Sequence, residues 1–160
     1  EALRGREIVL VPQGVTYLDP LMKVGPQIRR GKRSPEARAK SRSVLERYGL
    51  GAETEELYPF ELSGGMARRV LISTAVMETP RLVIADEPTP GLDARAAGRI
   101  LGHFREIADA GAGMLLITHD LELALTIADR VVVFYAGETV EEADAADFAA
   151  GRLRHPSAGG

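Results

Sequence analysis

The chain has no cysteine and no tryptophan, and aromatic residues make up only 5% of its 160 residues. Without cysteine there can be neither disulfides nor thiolate metal ligands, which fits a reducing compartment. No apolar run approaches the roughly 20 residues of a membrane-spanning helix, and the opening residues do not read as a secretory leader. Charge of one sign is not in excess either. Twenty Lys and Arg against 23 Asp and Glu leave a net charge of −3, so nothing pulls the chain as a whole toward nucleic acid. Internal repeats and low-complexity tracts are missing. So is any G-x-x-x-x-G-K-[ST] segment, whose backbone and lysine cradle β- and γ-phosphates. The one Gly-Lys pair, Gly31-Lys32, is followed by Arg33 and has no apolar strand before it. What remains, with 45% hydrophobic residues, suffices for one domain-sized core.

Against these absences stands an ordered set of short motifs. The apolar run Leu82-Val83-Ile84-Ala85 ends in Asp86-Glu87-Pro88. A buried strand of this kind carries two adjacent carboxylates to its tip, where one can hold Mg²⁺ through water and the other can polarise an attacking water. Leu62-Ser63-Gly64-Gly65-Met66 places a glycine pair behind a serine, so that bare backbone N–H groups can close on phosphate oxygens at a helix start. Val11-Pro12-Gln13, Gly91-Leu92-Asp93 and Thr118-His119-Asp120 complete the set. Each has a plainer reading when isolated. Ser63 is an ordinary N-cap, Asp86-Glu87-Pro88 an exposed turn, and Thr118 or Asp120 a cap beside an idle His119, while Gln13 alone says almost nothing. Their joint order, each at a strand or helix boundary, points to the handling of a nucleoside triphosphate.

Periodicity supplies the elements that carry these motifs. Ile8 to Val11 reads as a short strand. From there to Glu61 the chain is rich in Arg, Lys, Gly and Pro, with one helical stretch that starts near Ser34, has Pro35 and Glu36 as start signals, and sets Ala37, Val44, Leu45 and Tyr48 near one face. A second helix starts behind Ser63 and runs through Met66, Val70 and Met77 to a stop before Pro80. The remainder alternates β and α, the pattern of a parallel sheet with crossover helices. Leu82 to Ala85 is a strand, and Ala97, Ile100, Leu101, Phe104, Ile107 and Ala108 form a helical stripe that ends at Gly111 and Gly113. Met114 to Ile117 reads as the next buried strand. Leu121, Ala124, Leu125 and Ala128 mark a helix, and Val131 to Tyr135 a third strand turned by Ala136-Gly137 toward Glu138 to Val140.

On these residues the chain resembles the nucleotide-binding domain of ATP-binding cassette (ABC) transporters. Leu62 to Met66 is similar to the signature motif, Leu82 to Glu87 to the Walker B strand, Asp93 to the D-loop residue, His119 to the switch histidine and Gln13 to the Q-loop. Leu18 to Gly25, Tyr58-Pro59-Phe60-Glu61 and Arg154-His155-Pro156 look most like the peptide and nickel importer branch. The implied fold is α/β: an incomplete RecA-like P-loop NTPase core plus the ABC helical subdomain. The helical subdomain with Q-loop and signature would span about 14–78, and the C-terminal part of the catalytic core about 80–150. With no Walker A segment and a first residue Glu1 close to the Q-loop, the expectation is the C-terminal part of a cassette, inactive alone.

The resemblance also implies roles and partners. Glu87 would be the general base and His119 would hold the γ-phosphate, while Asp86 and Gln13 would bind Mg²⁺ through water. Ser63, Gly64 and Gly65 would close on ATP held by a second ABC ATPase subunit in a head-to-tail dimer, homo- or heteromeric, with Asp93 communicating across the interface. Transmembrane permease subunits, and indirectly a solute-binding protein, would complete a peptide, nickel or related importer on the cytoplasmic face of the membrane, with no nucleic acid partner. A non-transport ABC ATPase of the DNA-repair or translation type is the alternative, as is an interaction module lending its signature face to an intact cassette. One departure stands out: after Met66 many members of the branch carry Arg or Gln and then Gln-Arg-Val, whereas this chain has Ala67-Arg68-Arg69-Val70.

Three further segments take the plainer reading. The basic cluster Arg29-Arg30, Lys32-Arg33, Arg38 and Lys40 reads as a solvated or transporter-facing surface. His103 and His155 read as surface residues. The acidic tract Glu138, Glu141, Glu142, Asp144 and Asp147 reads as the exposed face of a short helix.

Overall fold

The computed structural model describes residues 7–14, 17–77 and 80–152. Its backbone falls into two compact units, one ending at Ile117 and the other starting at Thr118. His155 and the rest of the Arg154-His155-Pro156 segment lie outside the described residues.

In the first unit three strands, β1 (Ile8–Val11), β2 (Leu82–Asp86) and β3 (Gly113–Ile117), form a parallel sheet in the order β1-β2-β3. Parallel neighbours need long crossovers, and here they are helical, as the alternating pattern predicted. Register sets the faces. Val9 pairs with Val83 and Val83 in turn with Met114, while Val11 pairs with Ala85 and Ala85 with Leu116, so these side chains share one face. Val9, Val11, Val83 and Ala85 are buried there. The opposite face carries Ile8, Leu10, Ile84, Leu115 and, at its far end, Asp86 beside Ile117. β3 was expected to be buried, yet Leu115 is 51% and Ile117 47% exposed. It is an edge strand whose alternate side chains point to the open face.

Helix α1 (Val24–Ile28) precedes α2 (Pro35–Arg47) and α3 (Gly64–Val76), with two 3-10 turns, Ala52–Glu56 and Pro59–Glu61, between the last two. Ser34 caps α2 by accepting from the Ala37 N–H at 3.2 Å, with Pro35 in its first position. Val24, Ile28, Leu45, Leu50, Val70 and Leu71 pack together into a core of their own, closed at its edge by Leu62 and Met66. The expectation of a single helix before Glu61 is corrected by α1. Its Gly25-Pro26 pair looks like a loop signal, but proline is tolerated within the first turn of a helix. Arg29 also leaves the solvated basic cluster. It is buried and pairs with buried Glu55 at 2.5 Å. Helix α4 (Ala94–Asp109) buries Ala97, Ile100, Leu101 and Phe104 of the stripe read from the sequence, together with Ala96, while Ile107 and Ala108 at the end of that stripe are half-buried.

His103 is the other correction in this unit. It is half-buried on α4, and its Nδ1 meets the phenol oxygen of the fully buried Tyr48, with Arg47 and Glu106 paired alongside. Burial, then the Arg47 charge, pushes the His103 imidazole down, and burial pushes the Tyr48 phenol up.

The second unit contains α5 (Leu121–Leu125), β4 (Arg130–Tyr135), β5 (Glu138–Asp144) and α6 (Ala145–Ala149). The acidic tract from Glu138 to Asp144 is a strand, not a helix. β4 and β5 pair antiparallel as a two-stranded sheet. The reason is the turn: Ala136 and Gly137 both have positive φ, 50° and 85°, the geometry of a two-residue turn that returns the chain at once. Pairing then overrides the low strand preference of Glu and Asp. Only Asp147, on α6, keeps the helical position expected of it.

Candidate functional site

β2 is the central strand, and Asp86 is its last residue, half-exposed at the C-terminal end of the sheet. Gln13 follows the end of β1 by two residues and is exposed. Polar residues gather at this end because parallel strands deliver their C-termini to the same side.

Glu87, the residue after the strand, has a left-handed backbone with φ 45°. For a residue with a Cβ this conformation costs about 1–3 kcal/mol and persists only when the surroundings hold it. Both its backbone groups are held. Its N–H donates to the Ile117 carbonyl at 2.9 Å, and its carbonyl accepts from Arg68 Nη1 at 2.6 Å. Arg68 Nη2 donates to the Gln13 carbonyl at 2.8 Å. One guanidinium on α3 thus joins the segments that follow β1 and β2.

The start of α3 is built as its sequence suggested. Ser63 caps it, its hydroxyl accepting from the Met66 N–H at 3.2 Å, and no acidic residue occupies the first turn. A Cβ on Gly64 would meet open space, whereas one on Gly65 would face the Gly91 carbonyl and Leu92 at 3.6 Å. The helix start therefore lies against the loop that leads to Asp93. Asp93 is the N-cap of α4, accepting from the Ala96 N–H at 2.8 Å. That bond, with further help from the Arg95 N–H and the charges of Arg99 and Arg69, holds its carboxyl below the usual carboxylate range. Arg69 anchors α3 from the other side, donating to the Gly65, Tyr48 and Gly49 carbonyls.

The first unit therefore brings together Gln13, Asp86 and Glu87 at one sheet end, and Gly65 against the Asp93 loop. His119 follows β3 by two residues in sequence, and belongs to the second unit. Arg68 was missed as a site residue. Its signal was the departure Ala67-Arg68 after Met66, which sequence alone could not connect to partners 19 and 55 residues away.

The donor set suits the ion the resemblance implies. Mg²⁺ takes hard oxygen ligands, commonly one or two carboxylates with waters and phosphate oxygens. Asp86 supplies a carboxylate and Gln13 an amide oxygen, both reachable from solvent.

A parallel sheet whose central strand ends in paired carboxylates, with a serine-capped helix that opens on a glycine pair, puts the chain in the class of α/β proteins that handle nucleotides. The comparisons narrow the class. A family model described as ABC transporter matches residues 1–90. The chain is 40% identical over 152 residues to the oligopeptide transport ATP-binding protein OppD of Lactococcus lactis subsp. cremoris, across 89% of this chain and 45% of that one. It is 41% identical over 150 residues to OppD of Bacillus subtilis, across 87% and 42%. Its fold is similar to a dimeric ATP-binding cassette, MJ0796, in a post-hydrolysis state bound to ADP and Pi. There the TM-score is 0.79 with 26% identity, across 89% of this chain and 64% of that one. An ATP-binding subunit of an ABC transporter gives a TM-score of 0.80 at 26% identity, across 92% and 62%.

The chain belongs to the ABC transporter family. Its fold is an incomplete RecA-like P-loop NTPase core with the ABC helical subdomain. The chain spans about half the length of the curated relatives it matches, 45% of the first.

Proposed function

We propose that the chain is part of an ATP-binding and ATP-hydrolysing subunit that energises an importer of peptides, nickel or a related small solute. The observation that carries this reading is the capture of Glu87 in a left-handed backbone at the tip of β2, tied to the Gln13 segment. The names of the relatives, oligopeptide transport and peptide import ATP-binding proteins, support peptides within that class. In this reading residues 14–78 act as the helical subdomain and 80–150 as the C-terminal part of the catalytic core.

Glu87 takes the proton of the hydrolytic water as that water attacks the γ-phosphate, and His119 orients the water and holds the γ-phosphate oxygens. Asp86, with Gln13, would hold Mg²⁺ through water. Mg²⁺ supplies charge neutralisation of the β- and γ-oxygens when bound. Ser63, Gly64 and Gly65 offer N–H groups at a helix start free of competing carboxylates, which suits a phosphate brought by a second cassette. Asp93 then lies next to that interface. ATP bonded to both subunits favours the closed dimer by its differential affinity for that state.

The permease partner is supported by the exposed apolar side chains Tyr17, Leu21, Met22 and Phe60 around the helical subdomain. Among the described residues no helix is long and apolar enough to cross a membrane, and attachment to the inner face of the membrane through the permease follows from this partnership. The open sheet face of Ile8, Leu10 and Leu115 gives a helix behind a Walker A loop an apolar surface to cover.

The test is a set of ATPase assays. The chain alone is expected to give no Mg²⁺-dependent turnover, because no Walker A nest holds the phosphates. A cassette completed with a Walker A strand and loop is expected to hydrolyse ATP, and Glu87→Gln in it to keep nucleotide binding, lower kcat by at least about a hundredfold and accumulate closed dimer. Near-normal turnover by Glu87→Gln removes Glu87 from the role. Beside an intact partner cassette, Gly65→Asp is expected to slow hydrolysis at the partner's Walker A. Unchanged turnover and dimerisation there would end the trans assignment.

A further inference from the structure

We propose that Arg68 is a positioning residue that makes the Gln13 segment and Glu87 move as one body with the helix presenting Ser63–Gly65. The proposal deepens the preceding reading and rests on it for the role of Glu87.

Three observations carry it. The guanidinium donates to two carbonyls at once, Glu87 at 2.6 Å and Gln13 at 2.8 Å. A planar fork with a fixed angle between its N–H groups fixes the separation of its two acceptors, and charge-assisted bonds of this kind are about twice as strong as neutral ones. Second, the acceptor at residue 87 sits on a strained backbone, φ 45°, whose N–H is already committed to Ile117. Arg68 therefore closes the second of two ties that aim the Glu87 side chain. Third, Arg68 lies on the second turn of α3, whose first turn carries the glycine pair. α3 is itself braced by Arg69 on the Tyr48 and Gly49 carbonyls. A tilt of the helix, when its start engages a phosphate, is delivered through one side chain to both the Gln13 loop and the proposed base.

Arg68 has no contact with a reacting atom in this account. It works through the backbone of Glu87. Loss of the fork leaves substrate affinity in place and degrades alignment, an effect that belongs in kcat and not in KM.

The experiment uses Arg68→Met, which keeps length and removes the donors, and Arg68→Lys, which keeps the charge without the fork. Amide hydrogen exchange of the chain, followed by mass spectrometry, reads the clamp directly. Segments 9–14 and 85–91 are expected to exchange about tenfold faster together in Arg68→Met, with Arg68→Lys intermediate and α4 unchanged. Acceleration of one segment alone, or of neither, overturns the proposal. In the completed cassette Arg68→Met is expected to lower kcat about tenfold with the KM for ATP within about twofold, and Arg68→Lys to restore part of the loss. An unchanged kcat, or a change confined to KM, also overturns it. If Glu87→Gln keeps turnover, the general-base reading fails separately, while the exchange result still decides whether Arg68 binds the two segments together.

Discussion

The unit ending at Ile117 and the unit beginning at Thr118 are built on different principles. The first buries Tyr48, Phe104, Ile28, Leu45, Ile72 and Ile100 almost completely. The second, among its described residues, buries only Glu141 and Phe148, and leaves Val132, Phe134 and Tyr135 substantially exposed. One is held by apolar area removed from water, which is worth roughly 25 cal/mol per Å². The other is held by a strand ladder and by surface ion pairs, Arg130 with Glu142 at 2.7 Å and Arg152 with Asp147 at 2.5 Å, each worth at most about 1 kcal/mol. The difference teaches that the proposed chemistry of Asp86 and Glu87 sits on the rigid unit, whereas His119 belongs to the softer one.

The strongest test of this contrast is a pair of phenylalanines. Phe104→Ala is expected to cost about 3–5 kcal/mol in the main unfolding transition, since Phe104 is fully buried. Phe134→Ala, on a side chain 70% exposed, is expected to change it by no more than about 0.5 kcal/mol. Comparable losses in a urea titration would break the contrast. A smaller effect separates two helix caps. Ser34→Ala, which removes the acceptor for Ala37, is expected to cost about 1 kcal/mol. Asp120→Ala removes the corresponding bond to the Leu123 N–H, but α5 buries no residue, so its fraying is expected to leave the main transition in place and appear only in exchange at 121–125.

The smallest expected effect is a pH dependence confined to the rigid unit. The folded protein holds the His103 imidazole below its ordinary value, chiefly through burial against Tyr48. The unfolded chain then binds the proton more readily. The stabilisation is present in full above the ordinary imidazole value of about 6.5 and is lost as pH falls through the depressed one. Thermal midpoints are therefore expected to fall between about pH 7 and pH 5, with a flatter slope in His103→Phe. An identical slope in that variant would assign the dependence elsewhere.

What could be read from sequence depended on how near the deciding partner lies along the chain. α2, α3 and α4 were legible because their signals are local: Ser34-Pro35-Glu36, Ser63 before the glycine pair, and the stripe from Ala97 to Phe104. β5 was legible only at its start, where Ala136-Gly137 turns the chain back toward Glu138 to Val140, because the acidic residues beyond are strand only by pairing with Arg130 to Val133. The burial of Arg29 depends on Glu55, and that of His103 on Tyr48, partners 26 and 55 residues away. The motif residues were found by type and order, whereas the tie between Gln13 and Glu87 runs through a side chain whose role exists only in three dimensions.

Position 87 also sets evolution a conflict. A left-handed backbone favours glycine or asparagine over glutamate, so Glu87→Gly is expected to relax the local strain while removing the carboxylate proposed as the base. Selection for stability alone would drift toward the smaller residue. A screen of the completed cassette for heat resistance is therefore expected to return variants at position 87 that have gained stability and lost hydrolysis.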